Sequence, residues 1–164
     1  MQVKSFEEAE YIIGCKIPKS IKYSDPTGPP RTHYAMLKNE RTGKIIAHAS
    51  HKRVQRSGPD NVQNTQHAEQ ELIREVERVK KHMTASEWRG KKTIISARFS
   101  RNGHIGNSKV CASCARLIKN KCKDYVKQIM YFSSEQEPLW LSIDDICKEA
   151  SYSSGDVHRK DFIK

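Results

Sequence analysis

The chain has 164 residues, the size of one ordinary domain, and is long enough to bury a hydrophobic core of its own. Lysine and arginine number 30 against 19 aspartate and glutamate residues, and the formal charge of +11 favours polyanions or phosphate-bearing small molecules as partners, although a merely solvated Lys-rich surface has the same composition. The five cysteines, an odd number, and the lack of a signal-like N-terminal stretch argue against a secreted disulfide scaffold and predict an intracellular protein. The sequence also has no apolar run long enough to predict a membrane span.

The first half of the chain shows helical periodicity near its two ends and strand-like runs between them. Ser5 is placed to cap the first helix, Gly14 to end it, and Thr65 to cap the second. Four prolines within 17–31 favour an extended connector or loop. The predicted elements are a helix within 1–15, the connector 17–31, a hairpin of strands 33–38 and 44–51, an irregular polar segment 52–66 with a turn at 58–61, and a helix over 67–83.

The second half alternates strands and helices. Gly90 interrupts the helical region, and the apolar centre of the next run predicts a strand covered on both faces. A loop with two glycines then leads to Cys111, which opens another helix. The predicted elements are a strand over 92–99, a loop over 100–110, a helix from 111 to about 121, strands over 126–132 and 139–143, a terminal element over 146–150 and a polar tail over 151–164.

This order of elements predicts an α/β fold. We expect a three-layer α/β/α sandwich in which helices cover a central mixed sheet of about five strands. The whole chain, 1–164, is interpreted as one domain with its core over about 33–150, preceded by the N-terminal helix and the proline-rich connector of residues 1–31.

Three side chains of the sequence form a set of candidate metal ligands. His67 offers one imidazole, and Cys111 and Cys114 offer two thiolates, which suits Zn²⁺ with one coordination position left open. The two cysteines lie three residues apart at a predicted helix start, where free N–H groups stabilise thiolates. His67 opens the other helix, so one zinc ion could bridge the two helix starts if they converge. Glu69 would then be the carboxylate that carries protons during zinc-assisted hydrolysis.

The two motifs together resemble those of the cytidine deaminase superfamily. His67-Ala68-Glu69 and Cys111-Ala112-Ser113-Cys114 are similar to the H-A-E and C-x-x-C motifs of that family, and the resemblance covers about residues 34–134. The run Ser108-Lys109-Val110-Cys111 is similar to the family's S-x-P-C loop, with valine in place of proline. The resemblance implies a cytidine deaminase-like fold with zinc between two helix N-termini.

The resemblance also implies which residues would bind the substrate. The backbone around Lys109 and Val110 would accept from the amino group of the base, and the N–H of Ala68 would meet its carbonyl group. His51 lies nearest the place where many relatives carry a sugar-binding asparagine.

The implied function is that of a zinc-dependent hydrolytic deaminase. Attack at C4 of cytosine would release ammonia and leave uracil in a nucleotide, a nucleoside or a single-stranded nucleic acid. Adenosine deamination in RNA, with attack at C6, uses the same parts and is one alternative. A second is a non-catalytic, zinc-stabilised module that binds nucleic acid or a partner, with Cys122 or His104 as a fourth ligand. A degenerate family member kept for partner binding is a third. The oligomeric state is open, with a homo-oligomer among the alternatives.

The other histidines and cysteines are expected to have structural roles. His33, His48 and His51 fall on predicted strands, where a hydrogen-bonded polar role is commoner than metal ligation. Small buried hydrophobic side chains are the expectation for Cys15, Cys122 and Cys147.

Overall fold

A computed structural model describes residues 3–22, 31–55, 63–100 and 103–149 of the chain. These residues form an α/β protein with an open mixed sheet. The strands are β1 (Arg31–Asn39), β2 (Lys44–Ser50), β3 (Lys52–Gln55), β4 (Gln63–Gln66), β5 (Lys92–Ser100), β6 (Ile105–Gly106), β7 (Val126–Phe132) and β8 (Pro138–Ser142). The helices are α1 (Phe6–Ile13), α2 (Lys19–Lys22), α3 (Ala68–Lys80), α4 (Ala85–Trp88), α5 (Ala112–Cys122) and α6 (Ile143–Glu149).

The main sheet runs in the order β2-β1-β5-β7-β8, and the short strand β6 pairs with the end of β5. β5 and β7 are parallel, and the other neighbours are antiparallel. The helix α5 lies in the connection from β5 to β7, as parallel neighbours require a crossover rather than a tight turn. β3 and β4 form a separate two-stranded ribbon. In the described part of the chain, no helix has the length and apolar character that a membrane crossing requires.

Successive residues of the central strands point to opposite faces of the sheet, and both faces are covered. Leu37, Ile94 and Ile129 pack on the face covered by α3, α5 and α6. Their chain neighbours Met36, Ile95 and Met130 pack on the other face, under α1 and α2. Alternation with period two places these apolar side chains in two separate cores. The arrangement fits a three-layer sandwich.

Several sequence predictions are confirmed. Ser5 caps α1 by accepting from the N–H of Glu8 at 3.2 Å, and Gly14 ends the helix with a φ of 79°. β1 and β2 form the predicted hairpin, with Gly43 at positive φ in the turn. The strand and helix over 92–99 and from 111 are present as β5 and α5.

Other predictions are wrong. The segment 52–66 is not irregular throughout, since it contains β3 and β4, whose polar sequences lack the apolar alternation that marks a strand. Thr65 therefore lies in a strand, and His67 is the N-cap of α3. The connector begins with the short helix α2, while its residues 23–30 lie outside the described part of the chain, and the loop over 100–110 contains β6. The helix predicted over 67–83 ends at Lys80, and Thr84 caps a separate short helix. The turn at 58–61 and the tail over 151–164 lie outside the described residues.

Candidate metal centre

The N-termini of α3 and α5 meet on one face of the sheet. His67 and Cys111 are the N-caps of these two helices, and both have extended backbone. The side-chain amide oxygen of Gln70 accepts from the N–H of His67 at 3.1 Å and fixes the start of α3. α3 and α5 pack beside each other against the same core, which explains why their first residues converge. The condition for one ion to bridge the two motifs, that the two helix starts converge, is therefore met.

The three predicted ligands form one group. Nδ1 of His67 lies 3.1 Å from Sγ of Cys114 and 3.3 Å from Sγ of Cys111. All three ligand atoms lie within 4.8 Å of one another. Tetrahedral zinc with usual Zn–N and Zn–S bonds separates nitrogen from sulfur by about 3.6 Å. The imidazole nitrogen of His67 therefore needs to part from the two sulfurs by only a few tenths of an ångström to match zinc, and one nitrogen with two sulfurs is a donor set that zinc prefers.

The group has three members among the described His, Cys, Asp and Glu side chains. Cys122, the first proposed fourth ligand, is buried and accepts a hydrogen bond from the hydroxyl of Tyr125 at 3.1 Å. His104, the second, is exposed and its backbone N–H donates to Ser100. Neither residue belongs to the group, and both fourth-ligand assignments are contradicted.

The two thiols of the group have opposite pKa shifts. The hydrogen bond with Cys114, followed by hydrogen bonds with His67 and Ser113, outweighs burial and lowers the pKa of Cys111 to about 4. The same bond with Cys111, reinforced by burial and by the charge of Glu69, raises the pKa of Cys114. Cys111 is half-buried and Cys114 is fully buried. Without metal, Cys111 is therefore the thiolate of the pair and Cys114 the proton donor.

In metal-free protein, alkylation by iodoacetamide is expected to occur first at Cys111 and to change little in rate between about pH 6 and pH 8, because a thiol of lowered pKa is already ionised there. Cys15 and Cys147 are the internal controls. Burial raises their pKa, so their rates should rise about tenfold per pH unit. Peptide mass spectrometry separates the sites, and added zinc should protect Cys111. A rate at Cys111 that rises in parallel with the controls would contradict the assignment.

Glu69 lies against the metal group rather than away from it. As the second residue of α3 it is 1% exposed, and its Oε1 lies 3.3 Å from Nε2 of His33 and 3.1 Å from Oγ of Ser96. Burial acts to raise the pKa of Glu69, but the charge and hydrogen bond of His33 outweigh it and lower the pKa to about 2. The site thus holds an ionised, buried carboxylate whose negative charge contributes to the raised pKa of Cys114.

The loop that leads to Cys111 is hydrogen-bonded to two neighbouring strands, at the middle of β5 and at the end of β7. The hydroxyl of Ser108 donates to the carbonyl oxygen of Ser96 on β5 at 2.7 Å and accepts from the N–H of Phe132 on β7 at 2.9 Å. The N–H of Ser108 donates to the carbonyl oxygen of Phe132 at 2.9 Å. In return, the hydroxyl of Ser96 lies 2.8 Å from the carbonyl oxygen of Ser108. Ser108 therefore fixes the start of α5, and with it both cysteine ligands, to the sheet.

The four predicted substrate-binding residues differ in burial and in their hydrogen-bond partners. Ala68 and Val110 are buried, and Val110 packs into the core beneath α3 and α5. Lys109 is exposed, and its N–H donates to the side chain of Asn107 at 3.1 Å. His51 follows β2, and its Nδ1 accepts from the N–H of His33 at 3.3 Å. Their roles toward a substrate stay predictions.

His33 and Ser96 belong to the site although the sequence did not mark them. Ser96 lies 27 residues from Glu69 along the chain and 63 residues from His33. The antiparallel pairing of β1 with β5 brings His33 and Ser96 together, and no local motif encodes that pairing. The expectation that His33 and His48 are hydrogen-bonded polar residues is confirmed. His33 contacts the hydroxyl of Ser96, and His48 lies 3.5 Å from the hydroxyl of Ser20. Of the remaining cysteines, Cys122 is buried as expected, whereas Cys15 and Cys147 are half-buried.

Fold and site together define an α/β protein with a candidate three-ligand metal centre and an adjoining buried carboxylate. Comparison of the chain with models of known protein families finds no match, and comparison with curated proteins finds no similar sequence. Function is therefore inferred from the residues of the site.

Proposed function

We propose that this chain is a zinc-dependent hydrolytic deaminase that converts a cytosine base to uracil in a nucleotide, a nucleoside or a single-stranded nucleic acid. The observation that supports the proposal most is the convergence of His67, Cys111 and Cys114 beside a buried Glu69. A structural zinc site usually has four protein ligands, whereas a catalytic one has three and an adjacent acid or base. We extend the proposal to the fold, which we assign to the cytidine deaminase-like class, and to an intracellular location, since all five cysteines are free thiols.

His67, Cys111 and Cys114 would hold the zinc ion, which when bound supplies a Lewis acid that polarises a water molecule and lowers its pKa. Glu69 carries the proton transfers. It is ionised at neutral pH in the metal-free chain, so it begins as a proton acceptor. Glu69 would first take one proton from water and pass it to the ring nitrogen. It would then take the second proton from the hydroxyl group now bonded to the attacked carbon and pass it to the departing amino group, which leaves as ammonia while the carbonyl group of uracil forms.

The half-buried His67 and Cys111 form the more open side of the group, whereas Cys114 and Glu69 lie behind them. A base would therefore approach from the side of His67 and Cys111. Adenosine in RNA could approach in the same way, so it stays as the second candidate substrate. The formal charge of +11 supports a phosphate-bearing substrate over a free nucleoside.

Ammonia release by zinc-loaded protein tests the proposal against cytidine, CMP, dCMP, single-stranded DNA, RNA and adenosine-containing RNA. We expect ammonia and a uracil-containing product from at least one cytosine substrate, and neither from metal-stripped protein. Activity on the adenosine-containing RNA alone would select the adenosine deaminase alternative. Silence across the panel, with one zinc bound per chain, would overturn the enzyme proposal and favour a zinc-stabilised binding module.

A further inference from the structure

One oxygen of Glu69 is shared by two side chains from neighbouring strands. Oε1 lies 3.1 Å from Oγ of Ser96 and 3.3 Å from Nε2 of His33, and these two atoms lie 2.6 Å from each other. Ser96 is fully buried, and the side chain of His33 is 14% exposed. Three polar groups in such close contact, largely out of water, need a complete set of hydrogen bonds.

The number of available protons determines which ring nitrogen of His33 is protonated. The Ser96 hydroxyl has a single proton and lies near two groups that only accept, the carboxylate of Glu69 and the carbonyl oxygen of Ser108 at 2.8 Å. One proton cannot serve both acceptors at once. Because Ser96 can donate to only one of the two at a time, Oε1 of Glu69 needs a second side-chain donor, and Nε2 of His33 at 3.3 Å is placed to supply it.

The surroundings hold both donors in place. His33 and Ser96 lie on β1 and β5, which are hydrogen-bonded neighbours over the length of β1. The N–H of His33 donates to Nδ1 of His51, and the carbonyl oxygen of His33 accepts from the N–H of His51 at 3.2 Å. Ser96 is tied to Ser108, which fixes the loop before Cys111. Both side chains therefore belong to strands rather than to a loop. Rigid elements of this kind keep the groups of a site in a fixed geometry.

We propose that His33, protonated at Nε2, and Ser96 are positioning residues that bind one carboxylate oxygen of Glu69 and leave the other for proton transfer. Their role rests on the proposed deaminase function, since they act through Glu69. The orientation of the carboxylate is a requirement for proton transfer and not for metal binding. The rate and the zinc content should therefore respond differently to loss of His33.

The first test does not depend on activity. Nitrogen-15 NMR of the imidazole rings reports which ring nitrogen carries the proton, in zinc-loaded and in metal-free protein. We expect His33 to be protonated at Nε2 in both, with a proton resonance that shifts in the Glu69→Gln variant. A His33 ring protonated only at Nδ1 would overturn the proposal. This result stands whether or not the panel of substrates reveals a deaminase, so the two failures are distinguishable.

The second test uses three variants. His33→Ala should lower kcat about 10- to 100-fold, the effect typical of losing a group that orients a reactive or ligating residue, with KM within about twofold and one zinc per chain. His33→Gln should recover much of the lost rate, because its amide nitrogen can donate from near the place of Nε2. His48→Ala, a half-buried strand histidine that contacts Ser20 instead, should keep the wild-type rate. A His33→Gln variant no faster than His33→Ala, or loss of zinc in both, would overturn the positioning role.

Discussion

Replacing Glu69 with glutamine is expected to lower the rate of ammonia release by about 10²- to 10⁴-fold, the range that a general acid or base contributes to an enzyme reaction. Glutamine has nearly the same shape and keeps an oxygen that can accept from His33 and Ser96, but it can neither take up nor release a proton at neutral pH. Zinc content and thermal stability should therefore change little. Steady-state kinetics on the active substrate of the panel, with metal analysis of the same samples, measure both quantities.

The chain offers a matched control for this experiment in Glu71. It is also a buried glutamate on α3, two residues further along, and its carboxylate lies 3.4 Å from the guanidinium of Arg74. Glu71→Gln removes a buried carboxylate from the same helix that is not a member of the ligand group, so the rate should stay near that of the wild type. A Glu69→Gln variant that keeps wild-type activity would exclude the proposed proton transfer. An equal loss in both variants would mean that any change in α3 disturbs the site.

What could be predicted from the sequence depends on how far the interacting residues lie apart along the chain. The caps of α1 and the hairpin of β1 and β2 arise from contacts within a few residues, and both were predicted correctly. The ligand triad spans a longer distance but was still predicted, because few residue types bind zinc and their short spacings are restrictive. The convergence of the two helix starts was only a condition of that prediction, and the structure supplies it.

The missed features have physical reasons of two kinds. β3 and β4 are joined by backbone hydrogen bonds between polar sequences, which a search for apolar alternation cannot detect. His33 and Ser96 reach Glu69 only through the register of β1 with β5, and a lone histidine or serine on a strand carries no signal of such a contact. The supporting residues of a site therefore need the structure, even where its ligands do not.

Replacing Cys114 with alanine is expected to abolish stoichiometric zinc binding. Cys114 is a fully buried ligand atom of the group, so its loss should cost more than the 10- to 100-fold in affinity that loss of a ligand's hydrogen-bond partner typically costs. The metal also contributes to stability, since zinc at about a thousand times its Kd stabilises the folded state by about 4 kcal/mol. For a domain of this size, that corresponds to a rise in Tm of roughly 8–16 °C. Metal analysis and thermal unfolding with and without a chelator measure the two effects.

Cys122→Ala is the matched control, because Cys122 is a buried cysteine on the same helix that contacts Tyr125 instead of the metal group. This variant loses a hydrogen bond and some packing, at a cost of about 1–3 kcal/mol, but it should keep one zinc per chain. A chelator should therefore lower the Tm of the wild type and of Cys122→Ala alike, and leave that of Cys114→Ala unchanged. Stoichiometric, tight zinc binding by Cys114→Ala would show that the ion is held elsewhere. Because the proposal needs the ion beside Glu69, the proposed chemistry would then lose its basis at this site.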